Sequence, residues 1–137
     1  MVLTKKCIIC QQVFTPSKHN QKFCSKECKD KFYNRISTFP HLPSATVGTI
    51  GELVVATDLL KKGYEVYRPL SPSCSADLLV EKEQKIFKIE IRTGYIQKDG
   101  KLVYSHINIR ASILAIVVHS ENKIYYFEYP SNKEINF

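Results

Sequence analysis

Apolar and polar positions change rhythm along this chain. Residues 1–37 are rich in cysteine and lysine and hold no long apolar run. Pro40 and Pro43 then disfavour helix at the residues before them, so 38–46 reads as an extended linker. From Gly48 to Lys62, Ile50, Leu53, Val54, Leu59 and Leu60 recur at roughly helical spacing. Thr46 is a candidate cap for that helix and Gly63 a candidate stop. Strand patterns follow at Tyr64–Arg68, Ala76–Val80 and Ile86–Ile91. A turn at Asp99-Gly100 is expected to lead into a strand over Leu102–Ile107. Ile113–Val118 is continuously apolar, as a strand buried on both faces should be. Glu121-Asn122 turns the chain into a last strand, Lys123–Tyr129.

A helix followed by strands, one of them buried on both faces, predicts a mixed β-sheet flanked by an N-terminal helix, in the α+β or α/β class. Residues 47–137 are long enough to enclose a modest core. Residues 1–37 are not, because modules below about 40 residues usually need a metal or disulfides. Three parts are therefore expected: a metal module at 1–37, a linker at 38–46 and a sheet domain at 47–137.

Composition adds compartment and partner. Hydrophobic residues make up 44% and charged residues 24%, an ordinary balance for a soluble domain. No apolar stretch is long enough for a membrane span, and Met1–Cys7 has no apolar signal core. A cytoplasmic location is the expectation, and five cysteines in a reducing compartment point to metal or chemistry before disulfides. The net charge is +7, and residues 1–40 carry seven lysines and one arginine against Glu27 and Asp30. Nearly all of the excess thus lies in the first third. A local basic excess suits nucleic acid, although plain solubility is also served by it.

The cysteines run Cys7-x2-Cys10, thirteen residues, then Cys24-x3-Cys28. Two close pairs across such a gap can give four thiolates to one tetrahedral zinc. Cys7–Cys10 would form a knuckle, and Val13-Phe14 is expected to pair with Lys22-Phe23. Ser25 is a candidate N-cap for a helix carrying Cys28 in its first turn, where the dipole favours thiolate. A redox Cys-x-x-Cys explains only one pair and lacks its usual βαβ context. His19 is an alternative ligand but sits in the turn, where a surface role is ordinary. Cys74 lies far off as a loop thiol. The segment 5–35 resembles treble-clef zinc fingers of the Cys-x2-Cys…Phe-Cys-Ser-x2-Cys kind. A closed four-thiolate zinc is structural, so its work would be to present a surface. Lys22, Lys26, Lys29 and Arg35, with Phe32 and Tyr33 among them, form a candidate nucleic-acid-binding face.

The second domain places Asp77 on one short strand and Glu90-Ile91-Arg92 on the next, thirteen residues on. Glu90 and Arg92 share a strand face. If the strands are neighbours, Asp77, Glu90 and the main-chain carbonyl of Ile91 can hold Mg²⁺ (or Mn²⁺) through oxygen. Such a metal can activate water against a phosphodiester. Glu52, after Gly48-Thr-Ile-Gly51, could reach the same site from the helix.

Gly48-x2-Gly-Glu52, Lys62-Gly-Tyr-Glu-Val66, Ser75-Ala-Asp77 and Ile89-Glu-Ile-Arg-Thr93 together resemble the PD-(D/E)XK nuclease superfamily. The nearest flavour is its Holliday-junction-resolvase and intron-encoded homing endonuclease branches. The resemblance spans roughly 47–129 and implies a restriction-endonuclease-like fold. It makes Asp77 and Glu90 the metal carboxylates, and Glu52 the helix acid. Arg92 falls where the family's lysine sits. Ala76 stands for the family's proline. Arginine stays protonated, so it cannot serve as a general base, though it can hold a phosphate. The family often places a second helix where 93–112 reads here as hairpin and loop. Tyr95, Lys98, Lys101, His106 and Arg110 line that stretch as further candidate contacts. The function implied is a metal-dependent DNA endonuclease acting on duplex or branched DNA, docked by its zinc finger and able to work as a homodimer. The alternatives are a non-catalytic DNA-binding protein with a degenerate nuclease fold, and a zinc-finger adaptor. The change from lysine to Arg92 favours the former alternative, and the retained Glu52, Asp77 and Glu90 oppose it.

Overall fold

The computed structural model of the chain describes residues 3–36, 38–105 and 109–137, and for 33–36 the backbone only. His106 and the side chains of Tyr33 and Arg35 therefore lie outside the described residues. Two compact units form, Met1–His41 and Leu42–Phe137. No described helix is long and apolar enough to cross a membrane.

In the first unit, strand β1 (Lys5–Lys6) pairs antiparallel with β2 (Val13–Phe14). This corrects the expected partner of Val13-Phe14. The Cys7–Cys10 turn reverses the chain, so the strand leading into the knuckle meets the strand leading out. Cys7 donates its N–H to the Gln12 carbonyl, and Gln11 donates back to the Cys7 carbonyl with φ at 61°. Lys22 contributes its carbonyl, which accepts the Ile8 N–H. The Gln21 side chain closes the intervening loop, accepting from Ser17 and donating to the Phe23 carbonyl. Helix α1 (Lys26–Ile36) follows. Ser25 caps it: its Oγ accepts the Cys28 N–H at 3.3 Å.

In the second unit, helix α2 (Ser44–Lys61) starts earlier than the helical spacing suggested. Pro43 is its N-cap, where the missing N–H costs nothing. Thr46 thus sits within the first turn and does not cap. At the other end Gly63 adopts φ 83°. Its N–H reaches the Leu60 carbonyl, and the Tyr64 N–H reaches Leu59, a Schellman stop.

Six strands form the main sheet: β3 (Glu65–Tyr67), β4 (Leu78–Lys82), β5 (Lys85–Thr93), β8 (Ile113–Val118), β9 (Lys123–Glu128) and β10 (Lys133–Ile135). Their spatial order is β10-β9-β8-β5-β4-β3. Every neighbouring pair is antiparallel except β5 with β8. A short ribbon, β6 (Tyr95–Ile96) with β7 (Leu102–Val103), stands apart from that sheet. It turns through Gln97–Gly100, and β7 is shorter than the apolar pattern implied.

All six residues of β8 are buried, so both sheet faces are covered there. On one face Val55 and Leu59 of α2 pack on Leu78, Val80, Ile89, Ile91, Ala115 and Val117. On the other face Ile96, Leu102, Tyr104 and Ile109 pack on Leu114, Ile116 and Val118. A parallel β5–β8 pair requires a crossover, and α2 already occupies one face. The described crossover residues Ile96, Leu102, Tyr104 and Ile109 accordingly lie on the opposite face. Gly94 opens the crossover under tight limits: a Cβ there would meet Ile116 Cγ2 at 2.6 Å and the Val103 carbonyl at 3.0 Å.

Candidate metal centre and acidic site

The knuckle and the first turn of α1 bring Cys7, Cys10, Cys24 and Cys28 together, with all four Sγ atoms within 4.8 Å of one another. Cys24 Sγ lies 3.5 Å from Cys10 Sγ and 3.6 Å from Cys28 Sγ. Tetrahedral zinc with sulfur at about 2.3 Å needs sulfurs roughly 3.8 Å apart, so the donor set fits. Cys7 and Cys28 are buried, whereas His19 and Cys74 are exposed and outside the cluster. Burial alone would raise the Cys7 thiol, but N–H groups of Cys10, Cys24 and Ile9 outweigh it and hold it at about 6. The Cys24 thiol is pushed up to about 12, first by its hydrogen bond with Cys10 and then by burial. The clustered thiols thus pull one another in opposite directions, and a cation is what would let all four ionise together. Lys22, Lys26 and Lys29 are exposed on this unit.

The acidic site arises from strand register. β4 and β5 join through Glu83-Gln84, both at positive φ, in a two-residue hairpin loop. That loop fixes the pairing of Leu78 with Ile89. Continuing one residue outward sets Asp77 beside Glu90, on the face away from α2. The Asp77 N–H reaches the Ile89 carbonyl at 2.9 Å, and its Oδ2 accepts the Ile91 N–H at 2.7 Å. β5 runs on to Thr93 while β4 begins at Leu78, so among the described residues no strand pairs with the edge of β5 past Asp77. A strand residue points its N–H and C=O to the same side, so the Ile91 carbonyl faces this gap too.

Glu90 is 9% exposed and charged Arg92 follows on the same face. Arg92 Nη2 sits 2.7 Å from Glu90 Oε1. Burial raises the Glu90 carboxyl above its usual range, Asp77 raises it further, and Arg92 pulls it back. Glu52 is engaged elsewhere. It sits on α2 and pairs with Arg68 at 2.8 Å. Among the described residues, the four cysteines are the one converging group of three or more metal-binding side chains, so Glu52 does not join Asp77 and Glu90 in such a group. Arg68 is the residue that sequence reading missed. A pairing sixteen positions apart leaves no local signal.

A model of the PD-(D/E)XK endonuclease family matches residues 43–130. The chain belongs to that family. The match begins at Pro43, beside the first residue of α2, and ends just beyond β9. Among solved structures, a bacterial homing endonuclease is similar at a TM-score of 0.59 and 21% identity, over 66% of this chain and 68% of that one. At that identity the likeness concerns the fold. A search of curated proteins finds no match. In this PD-(D/E)XK domain the predicted mixed sheet with its flanking helix is present. The described part of its crossover carries a ribbon and no helix.

Proposed function

We propose that this protein is a divalent-cation-dependent DNA endonuclease, with a zinc module that docks the substrate. The observation that carries this is the Asp77–Glu90 pair, set side by side by a fixed hairpin register in a PD-(D/E)XK domain. Asp77, Glu90 and the Ile91 carbonyl offer an all-oxygen set at an open strand edge, which suits Mg²⁺ or Mn²⁺. Such a cation supplies Lewis-acid stabilisation and a more acidic bound water. The Ile91 N–H orients the Asp77 carboxylate by its 2.7 Å hydrogen bond. The Arg92 guanidinium donates to phosphate oxygen as negative charge builds there. Arg68 holds Glu52, which we assign a supporting part from the helix side.

The zinc is structural and holds Lys22, Lys26 and Lys29 on a rigid surface for DNA phosphates, with Arg35 continuing the helix in sequence. Lys98 and Lys101 at the exposed ribbon tip add basic groups to the sheet domain. Cutting both strands of a duplex calls for two acid pairs, which a homodimer supplies. Unpaired cysteines suit a reducing cytoplasm.

The test is cleavage of supercoiled plasmid and of a branched junction by zinc-loaded protein, with Mg²⁺ or Mn²⁺ added or omitted. Asp77→Ala and Glu90→Ala should each lower the cation-dependent rate by on the order of a thousandfold, about 4 kcal/mol of barrier. Binding without cutting in all conditions would instead establish a non-catalytic DNA reader. The Arg92–Glu90 ion pair favours that second reading, since it engages one of the two acids.

A further inference from the structure

We propose that Arg92 is the internal counter-cation of Glu90, and that a divalent cation displaces it. Cation loading and delivery of the guanidinium to the substrate phosphate are then one coupled event. This rests on Asp77 and Glu90 being the cation site.

The two acids are neutralised differently. Asp77 Oδ2 takes the Ile91 N–H, a main-chain donor fixed by the strand. Glu90 is held by a side chain two residues along the same strand, with Nη2 2.7 Å from Oε1. Strand pleating makes that pairing local, since residues i and i+2 share a face. It is also shielded: the Glu90 side chain is 11% exposed and that of Arg92 29%. The crossover residues Ile96, Leu102 and Ile109 cover the same face of the sheet. A carboxylate so placed beside a second carboxylate is costly without a cation. In the metal-free site Arg92 is that cation.

The same contact obstructs metal. A divalent ion binds carboxylate oxygen at about 2.0–2.1 Å and brings its own charge, so it and the guanidinium compete for Oε1. When the metal prevails, the guanidinium gives up its contact with Glu90 Oε1 and stays beside the acids with its planar N–H fork. That fork matches a phosphate, which the substrate brings to the same place. Arginine at this position thereby balances the Glu90 charge until a divalent cation takes its place.

The test reads cation binding rather than cleavage. Full-length, zinc-loaded protein is titrated with Mn²⁺ without DNA, following free Mn²⁺ by electron paramagnetic resonance. Arg92→Gln should bind Mn²⁺ on the order of tenfold more tightly than the parent. Arg92→Lys keeps the charge without the fork and should fall between the two. It also covers the case in which the glutamine variant misfolds. In a Glu90→Gln background, adding Arg92→Gln should bring no gain. Equal or weaker Mn²⁺ binding by Arg92→Gln overturns the proposal. So does an undiminished gain in the Glu90→Gln background, which would show a general field effect and no competition for Glu90. If Asp77→Asn and Glu90→Gln leave Mn²⁺ binding unchanged, the cation site itself is misassigned and the nuclease reading loses its chemistry. If they weaken it and only the Arg92 effect is missing, the nuclease reading stands and the counter-cation does not.

Discussion

The two units hold their candidate sites by opposite means. Among its described residues the cysteine unit buries two of its four clustered thiols, Cys7 and Cys28, but encloses almost no apolar core, and Leu3, Ile8 and Val13 remain exposed. Its four thiols are at once its candidate site and its scaffold. The sheet unit has two apolar clusters, one on each face, and its acids sit at the end of a strand that those clusters already fix. In one case metal binding and folding are expected to be the same event. In the other the fold exists first and the site is a property of its register.

The largest effect expected from this difference is on metal removal. Stripping zinc should cost the cysteine unit on the order of 10 kcal/mol, more than so small a module has in reserve. In amide NMR spectra of the full chain, signals from residues 3–36 should collapse to unfolded positions while those of β8 stay dispersed. Cys28→Ser should do the same, because it removes a ligand at the capped first turn of α1. DNA binding should become less sensitive to salt in parallel, by about 0.9 in log–log slope for each phosphate that the protein no longer neutralises. Persistence of the 3–36 signals without metal would make the thiols ordinary core residues and end the contrast.

The contrast also explains what the sequence made legible. Cysteine ligands lie three or four positions apart, so spacing alone exposes the centre. β8 is a pure apolar run and was readable to the residue. The acids could be brought together from the sequence only on the condition that their strands are neighbours, because their meeting depends on the β4–β5 register. Glu83-Gln84 at the loop lacks the Asn-Gly signature that would have announced a two-residue turn. β1 escaped notice because Lys5-Lys6 carries no strand preference and is held by the knuckle. β10 escaped similarly: Lys133-Glu134-Ile135 is polar and pairs only because the chain doubles back on β9. The Glu52–Arg68 contact links α2 to the segment after β3, and no pattern along the chain encodes it.

A smaller effect tests whether the crossover face is as fixed as the α2 face. Gly94→Ala places a methyl 2.6 Å from Ile116 Cγ2 and 3.0 Å from a main-chain oxygen, so the packing around it must shift. About 1–3 kcal/mol of destabilisation is expected from such overpacking, read as a lower urea midpoint for the sheet unit. Gly51→Ala meets only ordinary contacts, at 3.8 Å or more from Val117, Ile91 and Thr93, and should be tolerated. Equal tolerance at both positions would mean that the ribbon yields easily and that Glu90 owes its burial to something else.

The smallest effect should be a gain. Gly48 lies within α2, exposed, with nothing within 4 Å of the place a Cβ would take. A methyl there touches no core atom, so packing neither resists nor rewards it. What changes is the helix's own balance: alanine has less backbone freedom to lose than glycine, worth up to about 1 kcal/mol in a helix interior. Gly48→Ala should therefore raise the urea midpoint of the sheet unit slightly and leave the zinc-dependent signals of residues 3–36 where they were. A drop in stability would mean that Gly48 is needed for close approach by another molecule or chain. A matching shift in the 3–36 signals would show that the two units share stability, against the separation on which the comparison rests.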